Sequence, residues 1–224
     1  MNQQLVHVYF VPGMAANTTI FEHIKLPENI FKTHYIPWKL PKKKETIEEY
    51  AKRMCAEIKH ENPVLIGVSF GGIMVQEMAK QIAVQKVLII SSVKTKHELP
   101  KRMKLAKITK AYKLIPTRIM ANSNLLTKFA FGKVIKKRIH LYKKYISMNN
   151  TDYLDWAIEQ IVMWKQDKPI SGLIHIHGEN DGVFPVSHIK NYIKVEKGTH
   201  IMIINRPNWF NEHLPELILT GTTR

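Results

Sequence analysis

Short apolar runs separated by helical segments constrain the fold of this chain more than any other feature. Four runs rich in Val, Ile and Leu lie at residues 5–11, 63–68, 84–92 and 172–177. Strands that are covered on both faces have this composition, because neither face needs regularly spaced polar residues. A shorter run at residues 34–38 contains Pro37, which favours an edge strand, and residues 192–195 predict a further strand.

Helical segments alternate with these runs. Residues 46–60 combine Thr46 and Glu49 at capping-box spacing with a single apolar stripe, and residues 72–82 and 207–219 are also expected to be helical. Strands that alternate with helices indicate the α/β class. We therefore expect a mostly parallel sheet of about six strands, flanked by helices.

The alternation is interrupted between Lys94 and about residue 167 by helical sequence without a convincing strand. We expect residues 1–93 and 168–224 to form the core and residues 94–167 to form a helical cap insertion. Within it, residues 101–115 predict a basic amphipathic helix with an apolar face made of Leu105, Ile108, Tyr112 and Ile115. A later stripe predicts a helix packed against the edge of the sheet: Tyr153, Trp156, Ala157, Ile161 and Trp164.

The positive charge of the chain is concentrated in this insertion. The formal net charge is +16, and the segment from Lys94 to Tyr145 holds 16 Lys and Arg against one acidic residue, Glu98. Three interpretations remain open: a lid whose apolar face covers a pocket and whose lysines are solvated, a surface for anionic partners, or adsorption to membranes. Nucleic acid is not expected, because no binding motif accompanies the charge.

A serine in a glycine-rich turn is the first candidate for chemistry. Ser69 lies in Gly67-Val68-Ser69-Phe70-Gly71, between a predicted strand and a predicted helix. This strand-to-helix context is what gives a G-x-S-x-G pattern its meaning, because a sharp turn lets the hydroxyl project above the sheet. The helix that follows also directs its N-terminus at the site, which favours developing negative charge. The pattern indicates a nucleophile at Ser69.

A nucleophilic serine needs a base, and the base needs an acid that orients it. Asp181 follows the strand predicted at residues 172–177, and His200 follows the last predicted strand. The carboxyl ends of parallel strands share one edge of the sheet, where ligands of open α/β folds bind. Ser69, Asp181 and His200 are therefore the predicted catalytic triad.

The order serine, acid, histidine resembles the α/β-hydrolase family over nearly the whole chain. His177-Gly178-Glu179-Asn180-Asp181 is similar to the H-G-x-x-D pattern of that family, which implies that Asp181 is the triad acid and that His177 is structural. The resemblance also implies two backbone N–H donors for the oxyanion, those of Phe70 and Met14. The turn before Met14 departs from the family, because Pro12 stands where histidine is usual.

Several functions are not expected. Hydrolases of this fold that use a carboxylate nucleophile, the dehalogenases and epoxide hydrolases, are disfavoured by the serine at position 69. Metal-ligand motifs and phosphate-binding loops are missing, so no metal and no cofactor are expected. Five isolated histidines receive no role: His7, His34, His60, His140 and His175.

The cellular compartment is inferred from what the sequence contains. The start does not resemble a signal peptide, and no apolar stretch approaches the roughly 18 to 20 residues of a transmembrane helix. Cys55 is the only cysteine, so no internal disulfide can form, which fits a reducing compartment. We expect a cytoplasmic protein without a transmembrane segment.

Three functional hypotheses follow. The first is a carboxylic ester or thioester hydrolase that forms an acyl-enzyme on Ser69 and acts on a small-molecule substrate. The second is a cofactor-free lyase that uses the same triad. The third is a noncatalytic module that binds anionic partners and only retains the fold. For an enzyme, the lid formed by the basic insertion would cover an acyl pocket. An anionic partner of the insertion could be a phosphorylated substrate, a coenzyme A thioester or an acidic carrier protein.

Overall fold

The computed structural model describes residues 5–120 and 143–222. The strands are β1 (Val6–Val11), β2 (Phe31–Tyr35), β3 (Val64–Val68), β4 (Lys86–Ile90), β5 (Ile174–Gly178) and β6 (Ile193–Val195). The helices are α1 (Ile47–Cys55), α2 (Phe70–Ala79), α3 (Lys101–Thr109), α4 (Thr117–Met120), α5 (Thr151–Met163), α6 (Met202–Asn205) and α7 (Pro207–Thr220). Strands and helices alternate through most of the chain, as predicted.

All strands pair in parallel in one sheet, in the order β2-β1-β3-β4-β5-β6. The predicted edge strand is confirmed as an edge, but it begins and ends three residues earlier than expected. Pro37 cannot donate a backbone hydrogen bond, and the pairing closes with Ile36 N–H donating to the Phe10 carbonyl at 2.9 Å. Because all strands are parallel, the loops after β1, β3, β5 and β6 lie together at the edge formed by the carboxyl ends of the strands.

Helix α1 shows why the local sequence forms these elements. Glu49 N–H donates to the Thr46 hydroxyl at 3.2 Å, and Thr46 N–H donates to the Glu49 carboxylate at 2.8 Å. This reciprocal capping box satisfies two backbone donors that the first helical turn leaves free. The apolar stripe of the helix is buried against the sheet: Ile47, Tyr50, Ala51 and Met54.

The sheet is covered on both faces. One face packs against α1, α2 and α5, with residues such as Tyr9, Leu65 and Ile89 at the centre of the core. The other face packs against α7, and Phe10, Ile66 and Leu88 lie on that side. The aromatic stripe predicted in α5 is buried in the first of these clusters: Tyr153, Trp156, Ala157, Ile161 and Trp164.

The prediction of one amphipathic helix with a buried apolar face at residues 101–115 is wrong. Helix α3 has no buried residue, and Leu105 and Ile108 are 61% and 80% exposed. The helix ends because Lys110 adopts a left-handed conformation, with φ of 57°. The chain turns at this point, so Tyr112 is buried and Ile115 half-buried on a different segment, and the four side chains do not share one face.

The two ends of the insertion lie together. Lys96 N–H donates to the Gln166 carbonyl at 2.9 Å, and Lys96 pairs with Asp167 at 2.7 Å. Residues 121–142 of the expected cap lie outside the described residues. The division into a core and a cap stays a prediction.

Among residues 5–120 and 143–222, no helix is both long enough and apolar enough to cross a membrane.

Candidate active site

Ser69 occupies a strained turn between β3 and α2. Its backbone has φ of 54° and ψ of −118°, a conformation that residues other than glycine rarely adopt. The turn requires the glycines on both sides of Ser69, because a Cβ at either position would overlap neighbouring backbone atoms. A Cβ on Gly67 would lie 2.1 Å from the Gly71 carbonyl oxygen, and one on Gly71 would lie 2.4 Å from the Val11 carbonyl oxygen. Both positions therefore require glycine for the sharp turn to form.

The structure brings the three predicted triad side chains together. His200 Nε2 lies 2.9 Å from Ser69 Oγ, and His200 Nδ1 lies 2.9 Å from Asp181 Oδ2. With Nδ1 protonated, the imidazole donates to the carboxylate, and its Nε2 is free to accept the serine proton. The arrangement is chemically able to make a hydroxyl nucleophilic.

Asp181 is held in place by the backbone of its own loop. The N–H groups of Val183 and Phe184 donate to Asp181 Oδ1 at 2.8 and 2.9 Å. Burial alone would raise the pKa of this carboxyl, but the charge of His200, its hydrogen bond and nearby His177 hold the pKa below its ordinary value. Asp181 therefore stays ionised and can stabilise a positively charged imidazole.

Two glycines allow the loop after β5, which carries Asp181 and is here called the acid loop, to contact the loop after β6, which carries His200. A Cβ on Gly178 would lie 2.5 Å from the backbone of Gly198, so neither residue has room for a side chain. Asn180 N–H donates to the Gly198 carbonyl at 2.8 Å across the same contact. The sequence carries a signal for this contact, Gly198 two residues before His200, and this glycine is not among the predicted site residues.

The two predicted oxyanion donors belong to segments that adjoin Ser69. Phe70 is the first residue of α2, and a first-turn N–H has no partner within its own helix. Met14 follows Gly13, at which a Cβ would lie only 3.5 Å from the Ser69 Cβ. Neither N–H donates to another group among the residues that the structure describes. Their role as oxyanion donors stays a prediction.

Two supporting residues were missed by the sequence analysis. The Ser92 hydroxyl donates to the Ser69 carbonyl at 2.7 Å, and the Trp38 indole donates to the Gly13 carbonyl at 2.8 Å. Trp38 also stacks on Phe70, with ring centroids 5.1 Å apart. Ser92 follows the end of β4, at the edge of the sheet that carries the triad, here called the active edge, so a supporting side chain could have been expected there. Nothing in the sequence singles out Trp38 for its contact.

His177 makes structural contacts. Its Nε2 lies 2.8 Å from the Phe184 carbonyl and its Nδ1 lies 3.0 Å from His175 Nε2. Burial lowers the pKa of His177, although the Asp181 carboxylate opposes this effect. The ring therefore fixes the strand and loop that carry Asp181, in agreement with the structural role that the family resemblance implied.

The entrance to the site is only partly covered. The His200 side chain is 13% exposed, Ser69 is half-buried, and the Phe184 ring meets the His200 ring edge-on at 5.6 Å. Helix α3 is tied to the acid loop by Arg102, which donates to the Val183 carbonyl at 2.7 Å. The basic segment thus begins beside the loop that holds Asp181.

Solved structures with the same fold include enzymes of several activities. An esterase from Thermogutta terrifontis superposes with a TM-score of 0.67 and 13% identity, over 99% of this chain and 92% of its own. An α/β-hydrolase fold protein from Burkholderia ambifaria gives 0.62 and 12%, over 98% and 92%. An epoxide hydrolase from Bacillus megaterium gives 0.64 and 13%, over 97% and 94%. The chain therefore has the α/β-hydrolase fold, and the expected fold class is confirmed.

The sequence also matches one family model. The chain belongs to the uncharacterised protein family UPF0227, whose model matches residues 19–149. No protein in the curated set matches the chain in sequence. At identities of 12 to 13% the structural likeness shows the fold alone, so the activity has to be argued from the site.

Proposed function

We propose that this protein is a serine hydrolase that cleaves a carboxylic ester or thioester through an acyl-enzyme on Ser69. The observation that carries the proposal is the continuous hydrogen-bonded chain from Ser69 Oγ to His200 Nε2 and from His200 Nδ1 to Asp181, both at 2.9 Å. Three side chains that are distant in sequence meet in the geometry that nucleophilic catalysis by serine requires.

In the first half-reaction, Ser69 Oγ attacks the substrate carbonyl carbon while its proton passes to His200 Nε2. The carbonyl oxygen becomes an oxyanion and accepts hydrogen bonds from the N–H groups of Phe70 and Met14. Asp181 stabilises the imidazolium that results. The carbon–oxygen or carbon–sulfur bond then breaks, and the alcohol or thiol leaves with the proton of His200.

Water completes the cycle. His200 Nε2 takes a proton from a water molecule, whose oxygen attacks the acyl carbon on Ser69. The second tetrahedral intermediate collapses to the carboxylic acid, and the proton returns to Ser69 Oγ. Every step uses groups of this chain, water and the substrate.

The basic insertion extends the proposal to the charge of the substrate. Lys101 and Lys104 are exposed in the first turn of α3, on either side of Arg102, whose guanidinium reaches the acid loop. Positive charge at this position raises the local concentration of anionic substrates. A coenzyme A thioester or an acyl group on an acidic carrier protein fits this field better than a neutral ester does.

The proposal is tested by steady-state hydrolysis of small aryl esters and of acyl thioesters. Ser69→Ala should reduce kcat by at least about 10³-fold, because the nucleophile is lost. Ser171→Ala is the matched control, since Ser171 is exposed and precedes β5, at the end of that strand opposite to Asp181. Its kcat should equal that of the unaltered protein. Undiminished turnover in Ser69→Ala would contradict the proposal.

Two further measurements distinguish the hydrolase from the lyase and from the noncatalytic module. A lyase with this triad would convert a substrate without consuming water, so incorporation of ¹⁸O from labelled water into the product acid distinguishes it from a hydrolase. A noncatalytic module would hydrolyse no ester or thioester, and it would bind anionic vesicles equally well with or without Ser69.

A further inference from the structure

Three histidines that are far apart in sequence converge at the end of the sheet opposite to the triad. His7 lies in β1, His34 in β2 and His60 in the loop before β3. One ring nitrogen from each lies within 4.8 Å of the other two. This cluster is the one group of potential metal ligands found among residues 5–120 and 143–222.

One distance within the cluster is close to the separation of two ligands on the same ion. His7 Nδ1 lies 3.0 Å from His34 Nε2, so a single proton links these two nitrogens. Nitrogens bound to one tetrahedral zinc ion at about 2.0–2.1 Å lie about 3.3 Å apart. An ion can therefore replace the shared proton if the His7 and His34 nitrogens separate by about 0.3 Å, while nitrogens that lie up to 4.8 Å apart must approach each other by about 1.5 Å.

His60 needs the largest rearrangement. Its ring stacks on the ring of His7, with centroids 3.5 Å apart and planes within 8° of each other. Two parallel rings cannot both direct an in-plane lone pair at the same ion, so the His60 ring has to rotate. Because His60 lies outside the strands and is only half-buried, this rotation disturbs no strand pairing.

The surroundings of His60 resemble the outer shell of a metal site. His60 Nδ1 lies 2.6 Å from the Tyr9 hydroxyl, and this hydroxyl also accepts the Lys59 N–H at 3.0 Å. Metal-bound histidines generally use their second ring nitrogen in such a hydrogen bond, which fixes the tautomer. Tyr9 is 3% exposed, and its hydroxyl oxygen can accept a hydrogen bond from the His60 Nδ1–H once the ring has rotated, which leaves Nε2 for the ion.

The chemistry of the donors selects the kind of ion. Three imidazoles suit zinc, copper and nickel, whereas magnesium and calcium require oxygen ligands. All three histidines are half-buried, and a surface cavity of about 390 Å³ is lined in part by His60, Glu61 and Asn62. Water can therefore reach the cluster and supply a fourth ligand.

We propose that His7, His34 and His60 bind a late first-row divalent metal ion, with zinc as its main occupant. The site joins edge strand β2 to β1 and to the loop before β3. It lies about 20 Å from the active edge, since six residues of extended chain separate His7 from Gly13. A bound ion stabilises the pairing of edge strand β2 with β1 and leaves the triad unchanged.

The test is a zinc titration of the full chain against a chromophoric chelator, with hydrolysis measured on the same samples. We expect one zinc ion per protein. His34→Gln and His60→Gln should each weaken binding by more than the roughly 10- to 100-fold expected for Tyr9→Phe, which removes only an outer hydrogen bond. Cobalt should give visible absorption typical of a four-coordinate nitrogen site, and the melting curve of each variant verifies that it folds.

Two controls distinguish this site from other histidines. His23→Gln removes an exposed histidine outside the cluster and should bind zinc as tightly as the unaltered protein. His200→Asn should abolish hydrolysis and retain zinc binding, so the failure of the proposed function and the failure of the metal site can be told apart. Zinc affinity that is unchanged in both His34→Gln and His60→Gln, or lost in His200→Asn, would overturn the proposal.

Discussion

The active edge of the sheet is fixed by close backbone contacts, whereas helix α3, at the start of the predicted cap insertion, is not. At the active edge, backbone atoms touch directly, because Gly67, Gly71 and Gly178 leave no space for a Cβ. Helix α3 buries no side chain, and its apolar residues Leu105 and Ile108 face solvent. The difference indicates that the triad geometry depends on the sheet and its loops, whereas the exposed apolar residues of α3 can change without moving the triad.

This contrast predicts where substitutions are severe. The largest effect is expected at Asp181, whose replacement by Asn should reduce kcat by roughly 10⁴-fold while the fold is retained, because an amide neither orients the correct His200 tautomer nor stabilises the imidazolium. The measurement is kcat for a small aryl ester. Asp155→Asn, at an exposed position of α5, is the control and should retain full activity.

A leucine pair compares the two regions in stability. Leu65 in β3 is fully buried and Leu105 in α3 is 61% exposed. Leu65→Ala should lower the free energy of unfolding by about 2–5 kcal/mol through lost burial and a cavity, whereas Leu105→Ala should change it by less than about 0.5 kcal/mol. Urea denaturation measures both. Similar losses in the two variants would show that α3 is as tightly packed as the sheet.

The acid sensitivity of the active edge should depend in part on His175. Burial, followed by the charges of His177 and Lys94, holds the pKa of His175 well below its ordinary value of 6.5. As the pH falls through about 6.5, the unfolded chain binds a proton that the folded protein does not, so stability decreases by up to about 1.4 kcal/mol per pH unit. His175→Gln should flatten this slope in denaturation at pH 7.5, 6.5 and 5.5. An identical slope in the variant would contradict the assignment.

The smallest effect is expected from the charges of α3. Replacement of Lys101 and Lys104 together by Gln should lower kcat/KM for an acyl-coenzyme A substrate by about 2- to 5-fold at low salt, and the difference should disappear in high salt. A neutral aryl ester is the control substrate and should be unaffected. Equal effects on both substrates would indicate that these lysines act on the fold and not on the charge of the substrate.

The parts of the molecule that depend on a regular backbone could be predicted from the sequence. Ser69, Asp181 and His200 each follow a strand, and parallel strands bring such positions to one edge whatever the side-chain details are. The glycines on either side of Ser69 also predicted the sharp turn, because the backbone contacts that leave no space for a Cβ are made within or directly beside that turn.

The rest depends on contacts that no local pattern encodes. The buried face of residues 101–115 was mispredicted because Lys110 in a left-handed conformation ends the helix, and a lysine gives no signal for such a turn. His7, His34 and His60 received no role because they lie on three separate elements, and only the pairing of β1 with β2 and the path of the following loop bring them together.

The most direct test of the active-site assignment is labelling with a fluorophosphonate probe, followed by mass spectrometry of the peptides. A serine activated by His200 should be labelled at Ser69, with one probe per chain, and Ser69→Ala and His200→Asn should both fail to react. Labelling at another residue, or an unaltered protein that remains unlabelled, would contradict the presence of an activated nucleophile at Ser69.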